Sequence, residues 1–178
     1  MKITNSKYFY YSIIVVSIGI ILFSIYYQLG GLKEFRVLPG QDVNYSIAGV
    51  EFKGNHNDRK IEEIYNKAKN LVADGRIKGT LSLIDYQSGM DDAEVQFFIG
   101  IILEERVSEL PPEFEVRVIK ANSVLRLVID VHPLVRPTKP EIEAIIYAHA
   151  QSNGLVIEDY FLEKHLTDDR VIVEGFVK

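Results

Sequence analysis

The sequence predicts an α+β protein: an N-terminal transmembrane helix, then a duplicated β-α-β-β antiparallel sheet with two helices on one face. Three observations predict this class. A long uncharged apolar segment lies near the start of the chain, and strand-like and helix-like patterns alternate twice after it. Matching turn signals also recur at a nearly constant spacing. We therefore expect an anchor followed by one domain built from two repeats.

The N-terminal segment is apolar enough to span a membrane. Residues 8–32 carry no charge, and a helix over about 8–29 has the length of roughly 20 residues that crosses a bilayer core. A cleaved signal peptide is the alternative, but its apolar region is about 7–15 residues long and ends in small side chains. This run ends in bulky residues at 23–27. We expect an uncleaved, single-pass anchor whose partner is the lipid bilayer.

The charged residues bear on the membrane orientation of the helix and on the partners of the domain. Lys2 and Lys7 precede the helix, and Lys33 and Arg36 follow it, so the positive-inside bias does not decide on which side of the membrane the domain lies. The chain has a formal net charge of −5 and no basic stripe. Such a surface repels phosphate backbones, and we expect no nucleic-acid partner.

Turn and linker signals divide the rest of the chain. Pro39-Gly40 is a turn signal that closes a juxtamembrane linker, and Leu110-Pro111-Pro112 marks a joint between the two repeats. The predicted bounds are 1–32 for the flank and anchor, 33–42 for the linker and 43–178 for the domain, with repeats at about 43–103 and 114–178.

Each repeat shows the order strand, helix, strand, strand. In the first repeat Asn57-Asp58 can cap a helix that Asp74-Gly75 ends. In the second repeat Thr138 caps a helix that Asn153-Gly154 ends. The predicted strands are 43–53, 80–87, 94–103, 114–119, 124–131, 158–165 and 171–177, and Ala121-Asn122 joins the fourth to the fifth.

Equivalent signals in the two repeats are separated by a nearly constant distance. Asp91-Asp92 lies 77 residues before Asp168-Asp169, and Asp74-Gly75 lies 79 residues before Asn153-Gly154. One such unit cannot bury its own sheet face, so the offset favours a duplication. Two segments that are alike by chance are the alternative.

The strand patterns predict two different sheet faces. Val171, Val173, Gly175 and Val177 are the slim apolar positions of the last strand, as a helix-packing face requires. The opposite positions of that strand are charged or bulky: Arg170, Ile172, Glu174 and Phe176. A charged and aromatic face opposite an aliphatic one is typical of a ligand groove.

These patterns resemble the GyrI-like small-molecule-binding domains (GyrI/SOUL-like fold), which are effector-binding domains of multidrug-responsive bacterial regulators and occur in gyrase-inhibitory proteins. The resemblance is carried by 50–73, Pro111-Pro112, 114–131, Glu158-Asp159-Tyr160 and 173–177. Within this family, a membrane helix, a Leu29-Gly30-Gly31-Leu32 exit and one such domain are similar in layout to the membrane-anchored ER-phagy receptors of animals. Those receptors also depend on a disordered tail with an autophagy motif, and their function is not carried over.

The resemblance implies a carboxylate that faces the ligand. In the family an acid in the last strand of the second half meets cationic drugs, and the matching position here is Glu174. Burying a carboxylate in an apolar groove is unfavourable unless it is paired, which independently favours a cationic partner. Pairing with Arg126 or Arg170 is the alternative, and it would make Glu174 structural.

Four aromatic residues complete the candidate ligand-binding set. The resemblance places Tyr160 and Tyr86 in the groove, and it places Phe98 where many relatives have an acid. Tyr147 is a further tyrosine that could offer a cation–π contact. Ordinary half-buried packing is the alternative for all of these tyrosines.

The sequence favours binding over catalysis. It has no metal-ligand spacing, no triad motif, no glycine-rich phosphate loop and no cysteine, so we expect no metal and no cofactor. The first hypothesis is a membrane-tethered, non-enzymatic module that binds a small apolar or cationic molecule in the sheet groove. The alternative is a protein-interaction or receptor domain presented at a membrane. A hydrolase of small hydrophobic electrophiles comes third, because the hydrolases that the resemblance includes use a tryptophan and this sequence has none.

Overall fold

The computed structural model describes residues 7–86, 94–105, 107 and 109–178. Each half of the described domain has the order β-α-β-β. The elements are α1 (Lys7–Gln28), β1 (Val37–Asn55), α2 (Arg59–Ala73), β2 (Gly79–Tyr86), β3 (Glu94–Leu103), β4 (Glu115–Asp130), a 3₁₀ turn (Pro133–Val135), α3 (Lys139–Ser152), β5 (Ile157–His165) and β6 (Arg170–Val177). The α+β class is thereby confirmed, and the Asp91-Asp92 signal lies outside the described residues.

The N-terminal helix α1 is apolar on every side. Its segment Tyr8–Gln28 is long and apolar enough to cross a membrane by length and composition, and none of it is buried against the rest of the chain. At about 1.5 Å of rise per residue, this length matches the hydrocarbon thickness of a bilayer.

The six described strands form one antiparallel sheet that closes into a barrel. Their order is β1-β3-β2-β5-β6-β4, and β4 pairs back with β1 from Val37–Leu127 to Gly49–Glu115. The face opposite the helices is therefore the inside of a barrel, whereas the strand patterns suggested a groove. Both domain helices lie on the outer face, as predicted. α2 packs on β1, β2 and β3, whereas α3 packs on β4 and β1 and shares a core cluster with residues of β5 and β6.

The two strands that close the barrel are longer than predicted. β1 begins at Val37, so Pro39-Gly40 lies within a strand and does not close a linker at 33–42. β4 continues through Ala121-Asn122, which was predicted to join two separate strands. Both errors have one cause: β1 and β4 pair with each other on either side of these signals, and this pairing outweighs the local turn preference.

The inward side of these two strands switches at Asp42 and Asn122, between the paired residues Gln41–Ser123 and Val43–Ala121. Val37 packs outside the barrel, against the core cluster that contains the buried residues of α3. Val43 is an even number of residues further along β1 and would be expected on the same face, but it packs inside the barrel. Ile119 and Leu125 show the same switch in β4. Asp42 has a φ of 49°, a left-handed conformation that aspartate tolerates better than most residues. The switch interrupts the period of two in both strands.

Both domain helices begin and end at the predicted residues. The Asp58 carboxylate accepts from the Lys60 N–H at 2.9 Å at the start of α2. The Glu141 carboxylate accepts from the Thr138 N–H at 2.7 Å and forms a capping box at the start of α3. Gly75 and Gly154 follow the helix ends with a φ of +68° each, a conformation that favours glycine.

The face assignment of the last strand is also confirmed. Val171 and Val173 pack against α3 on the outside, and Phe176 lies fully buried inside the barrel. Gly175 allows α3 to approach closely, because a Cβ there would lie 3.2 Å from both Ile146 and Phe161.

Candidate functional site

Four of the five predicted site residues lie inside the barrel. Glu174, Tyr160, Tyr86 and Phe98 come from four different strands, and the barrel brings them to one interior. Tyr147 is the exception, and its assignment to the pocket is wrong. It lies on α3, outside the sheet, where its ring meets Phe161 edge-on with centroids 5.6 Å apart.

Glu174 is fully buried and has two cationic partners. Its Oε1 accepts from Arg126 Nε at 2.6 Å and from Lys164 Nζ at 2.7 Å. The Tyr45 hydroxyl donates to the same oxygen at 3.3 Å. Arg126 lies directly opposite Glu174 in the β4–β6 register, and Lys164 comes from the other neighbouring strand, β5. We call these four residues the Glu174 cluster.

The Glu174 cluster contains more positive than negative charge. Burial acts against the charged form of Arg126, but the hydrogen bond and the charge of Glu174 leave the pKa of Arg126 raised overall. One carboxylate therefore faces two cations. The second oxygen of Glu174, Oε2, is buried without a hydrogen-bond partner among the described residues. Leaving a buried acceptor unsatisfied costs about 1–3 kcal/mol, so this atom is a place where a ligand donor would be stabilised.

An aromatic wall adjoins the Glu174 cluster. Tyr86 and Tyr160 lie opposite each other in the β2–β5 register, with ring centroids 6.0 Å apart. Tyr160 stacks on Phe176 at 5.0 Å. Burial raises the pKa of Tyr160, so its hydroxyl stays neutral at physiological pH. Ile84 and Leu162 are buried in the same core cluster as Phe176, against which Tyr45, Tyr86 and Tyr160 also pack.

A third cation, Arg117, lies over the predicted site residue Phe98. The Arg117 guanidinium carbon lies 4.2 Å from the Phe98 ring centroid, a cation–π contact. Arg117 also donates to the Tyr86 hydroxyl at 3.1 Å and to Glu51 and Glu115 at 2.5 Å each. Burial opposes its charge, but these hydrogen bonds raise the pKa of Arg117 overall, and its hydrogen bond lowers the pKa of Glu51. The interior therefore holds its own cations beside both Glu174 and Phe98.

Three interior polar residues were missed from the sequence: Tyr45, Lys164 and Arg117. Lys164 had a usable signal, because it follows Tyr160 and Leu162 at a period of two and must share their face. Tyr45 and Arg117 had none, because each lies on the far side of the face switch at Asp42 and Asn122, which the strand pattern did not reveal.

Four surface cavities of the described residues lie away from this interior. One, of about 360 Å³, opens between α2 and the β5–β6 turn, and another, of about 550 Å³, lies between the end of α1 and α3. Glu174 and its aromatic neighbours line none of the four. Among the described residues, no group of three or more histidine, aspartate or glutamate side chains is placed to hold a metal ion.

Known structures share this architecture, although no protein-family model and no curated protein matches the sequence. The C-terminal domain of EcmrR superposes with a TM-score of 0.50 at 11% identity, over 83% of this chain and 98% of that domain. The chain has a GyrI-like fold. EcmrR in its DNA complex gives a TM-score of 0.58 at 9% identity, over 98% of this chain and 73% of that one. A protein from Listeria innocua described as a hydrolase gives a TM-score of 0.51 at 12% identity, over 82% of this chain and 92% of that one.

These likenesses show the GyrI-like fold alone, so the chemistry of the site has to be inferred from its residues. EcmrR and a protein described as a hydrolase have the same architecture, so the fold alone does not separate binding from catalysis.

Proposed function

We propose that this chain is a membrane-tethered, non-enzymatic module that binds a small apolar or cationic molecule inside its GyrI-like barrel. The observation that carries the proposal is the Glu174 cluster: a fully buried carboxylate, with one unsatisfied oxygen, beside a wall of aromatic rings. A buried charge of this kind is unfavourable for folding unless it is compensated, and ligand recognition is a common reason for one.

The internal cations already make the contacts that a cationic ligand would make. The Lys164 ammonium lies 2.7 Å from Glu174 Oε1 and 5.0 Å from the Tyr45 ring centroid. An aromatic cation could replace that ammonium, because lysine has a flexible four-carbon stem that can carry its charge out to water. In this proposal Lys164 competes with the ligand, and binding follows when its side chain leaves the carboxylate.

The tether follows from the exposed apolar helix. α1 has no partner surface in the described chain, and a bilayer would bury its side chains. The end of α1 is joined to the domain by defined contacts: the His132 N–H donates to the Leu29 carbonyl at 3.2 Å, and Lys33 Nζ donates to the Asp130 carbonyl at 2.6 Å. These contacts would present the domain at the membrane surface in a fixed orientation.

A protein-interaction or receptor domain is the second candidate function. Val116 and Val118 favour it, because they lie on the outer face of β4 and about half of each is exposed, 49% and 55%. Neighbouring exposed valines on a strand are a small apolar surface of the kind that partners cover. A hydrolase is a third candidate, since one protein of this fold is described as one.

Thermal unfolding with a cationic aromatic dye tests the first candidate. The full-length chain in detergent micelles is melted with and without rhodamine 6G and followed by circular dichroism. A ligand that binds only the folded state stabilises it by about 2.7 kcal/mol at one hundred times its Kd, so we expect a higher melting temperature. Lys164→Met should increase the shift, because it removes the competing ammonium. Glu174→Gln should abolish the shift.

The control is Glu63→Gln, which makes the same charge change at an exposed position of α2, outside the sheet. It should leave the dye response unchanged. An equal shift in wild type and Glu174→Gln would contradict the proposed site. No dye response in any variant, together with a stable protein partner that binds the Val116 and Val118 surface, would favour the second candidate.

A further inference from the structure

We propose that the cavity between α2 and the β5–β6 turn is a separate binding site for a small organic anion with an apolar body, such as an aryl carboxylate. The cavity has a volume of about 360 Å³, which is within the usual range for small-ligand sites. Its walls include Tyr65, Lys69, Leu81, Arg136, His165 and Asp168. It lies on the outer side of the sheet, so it does not depend on the Glu174 cluster.

The charge of the cavity wall favours an anion. Arg136 has no carboxylate within ion-pair distance among the described residues; its Nη2 donates to a backbone carbonyl, that of Asp168, at 2.7 Å. Lys69 has one carboxylate partner, Asp168, at 3.4 Å, and that side chain is 89% exposed. Such exposed pairs contribute little. The cavity lining therefore has two cations and one weakly held carboxylate, and a second carboxylate, that of Glu163, lies 3.6 Å from Nε2 of the lining residue His165.

The remaining wall suits an uncharged ring or short chain. Leu81 is buried at the base of the cavity, and Val72 adds a second aliphatic side chain. Tyr65 and His165 meet edge-on with ring centroids 5.6 Å apart, and the Tyr65 hydroxyl lies 3.5 Å from His165 Nδ1. An aryl group could pack on Leu81 and on this aromatic pair while its carboxylate meets Arg136 and Lys69.

Arg136 also has a structural role that the test must separate from binding. Its bond to the Asp168 carbonyl holds the β5–β6 turn, so a variant could weaken the fold without any ligand being involved. Lys69 and Lys60 lie on the same helix, but only Lys69 lines the cavity. Lys60→Gln is therefore a matched control for Lys69→Gln.

The test is a titration of sodium benzoate into the full-length chain in micelles, followed by the methyl resonances of Leu81. We expect a saturable shift of these resonances in wild type and in Lys60→Gln. Charge-assisted hydrogen bonds contribute about 1.5–3 kcal/mol, so Arg136→Gln should weaken the apparent Kd by about tenfold or more. Lys69→Gln should also weaken it, and Arg136→Lys, which keeps the charge, should retain part of the affinity.

Two results would overturn the proposal: no saturable Leu81 shift in wild type, or the same Kd in wild type, Arg136→Gln and Lys69→Gln. Inorganic phosphate is the second probe. A weaker Leu81 response to phosphate than to benzoate is expected, since phosphate lacks the apolar body. A stronger response to phosphate would contradict the aryl carboxylate assignment. Lys69→Gln keeps the test decisive if Arg136→Gln does not fold.

Discussion

Arg126 and Glu174 face each other across β4 and β6, and the guanidinium Nε donates to the carboxylate Oε1 at 2.6 Å. The same oxygen also receives the Lys164 ammonium, so one buried acid is shared by two cations from different strands. Arg117 adds a third cation over Phe98 at the same interior. The chain thus places its own positive groups beside Glu174, where the family resemblance implies a cationic ligand, and beside Phe98, where many relatives have an acid.

Removing the shared acid should destabilise the fold. Glu174→Gln leaves Arg126 and Lys164 close together without a counter-charge. Breaking a buried ion pair costs roughly 3–5 kcal/mol, and we expect the low end because Arg126 is 33% exposed. Urea unfolding of the full-length chain should show the loss. The double variant Glu174→Gln, Lys164→Met should lose less than the single one, and equal losses would argue against charge repulsion as the cause.

Asp85 should make stability depend on pH in one direction. This carboxyl on β2 is buried and pairs with Lys139 of α3. Burial raises the pKa of Asp85, and the Lys139 hydrogen bond only partly offsets this. A raised folded-state pKa means that the protonated form is favoured in the fold, so this contribution is present at low pH and is lost as pH rises through the folded-state pKa.

The comparison for this prediction is Asp85→Asn, which does not titrate. The stability of wild type relative to Asp85→Asn should fall as the pH rises from below the ordinary aspartate pKa of about 3.9 through the raised folded-state pKa, measured by thermal unfolding. A difference that grows with pH would mean that the Lys139 pair outweighs burial.

Glu141 should make stability depend on pH in the direction opposite to that of Asp85. Hydrogen bonds from the Thr138 N–H and from its hydroxyl lower the pKa of Glu141 in the capping box of α3. A lowered folded-state pKa gives stability that is present above the unfolded pKa and is lost as pH falls through the folded pKa. Wild type should therefore unfold at a higher temperature than Glu141→Gln at neutral pH. This advantage should disappear in acid, and an advantage that persists there would contradict the titration.

The junction between α1 and the domain should depend on Gly30. Its φ is +88°, and a Cβ there would lie 2.9 Å from the Val131 side chain. Gly30→Val should push α1 away from the domain and break the Lys33 bond to Asp130. Trypsin should then cleave after Lys33 faster than in wild type, with Gly19→Val, a change in the middle of α1 where a Cβ meets nothing, as the control. Equal cleavage rates in all three chains would show that the junction does not hold Lys33.

Much of the fold followed from the sequence because each signal was local. Asp58 and Thr138 start helices, and Gly75 and Gly154 follow their ends, through bonds within a few residues. The alternation along β6 assigned Val171 and Val173 to α3 and Glu174 to the opposite face, and the structure agrees.

The closure of the barrel could not be predicted, because it depends on pairing between residues far apart. Pro39-Gly40 and Ala121-Asn122 are turn signals by composition, yet β1 and β4 pair on either side of them. The face switch at Asp42 also moved Tyr45 and Arg117 to the inside, where no strand pattern placed them. The prediction for Tyr147 was wrong for a simpler reason: Tyr147 is a residue of α3, and both α2 and α3 lie outside the sheet.

The most direct test of ligand binding inside the barrel is a search for intermolecular nuclear Overhauser effects between rhodamine 6G and the methyl groups of the full-length chain. Leu162 and Ile84 are fully buried in the barrel interior, whereas Leu81 lines the cavity beside α2. We predict contacts from the dye rings to the Leu162 and Ile84 methyl groups, and their loss in Glu174→Gln. Contacts confined to Leu81, or interior contacts that persist in Glu174→Gln, would contradict the proposal.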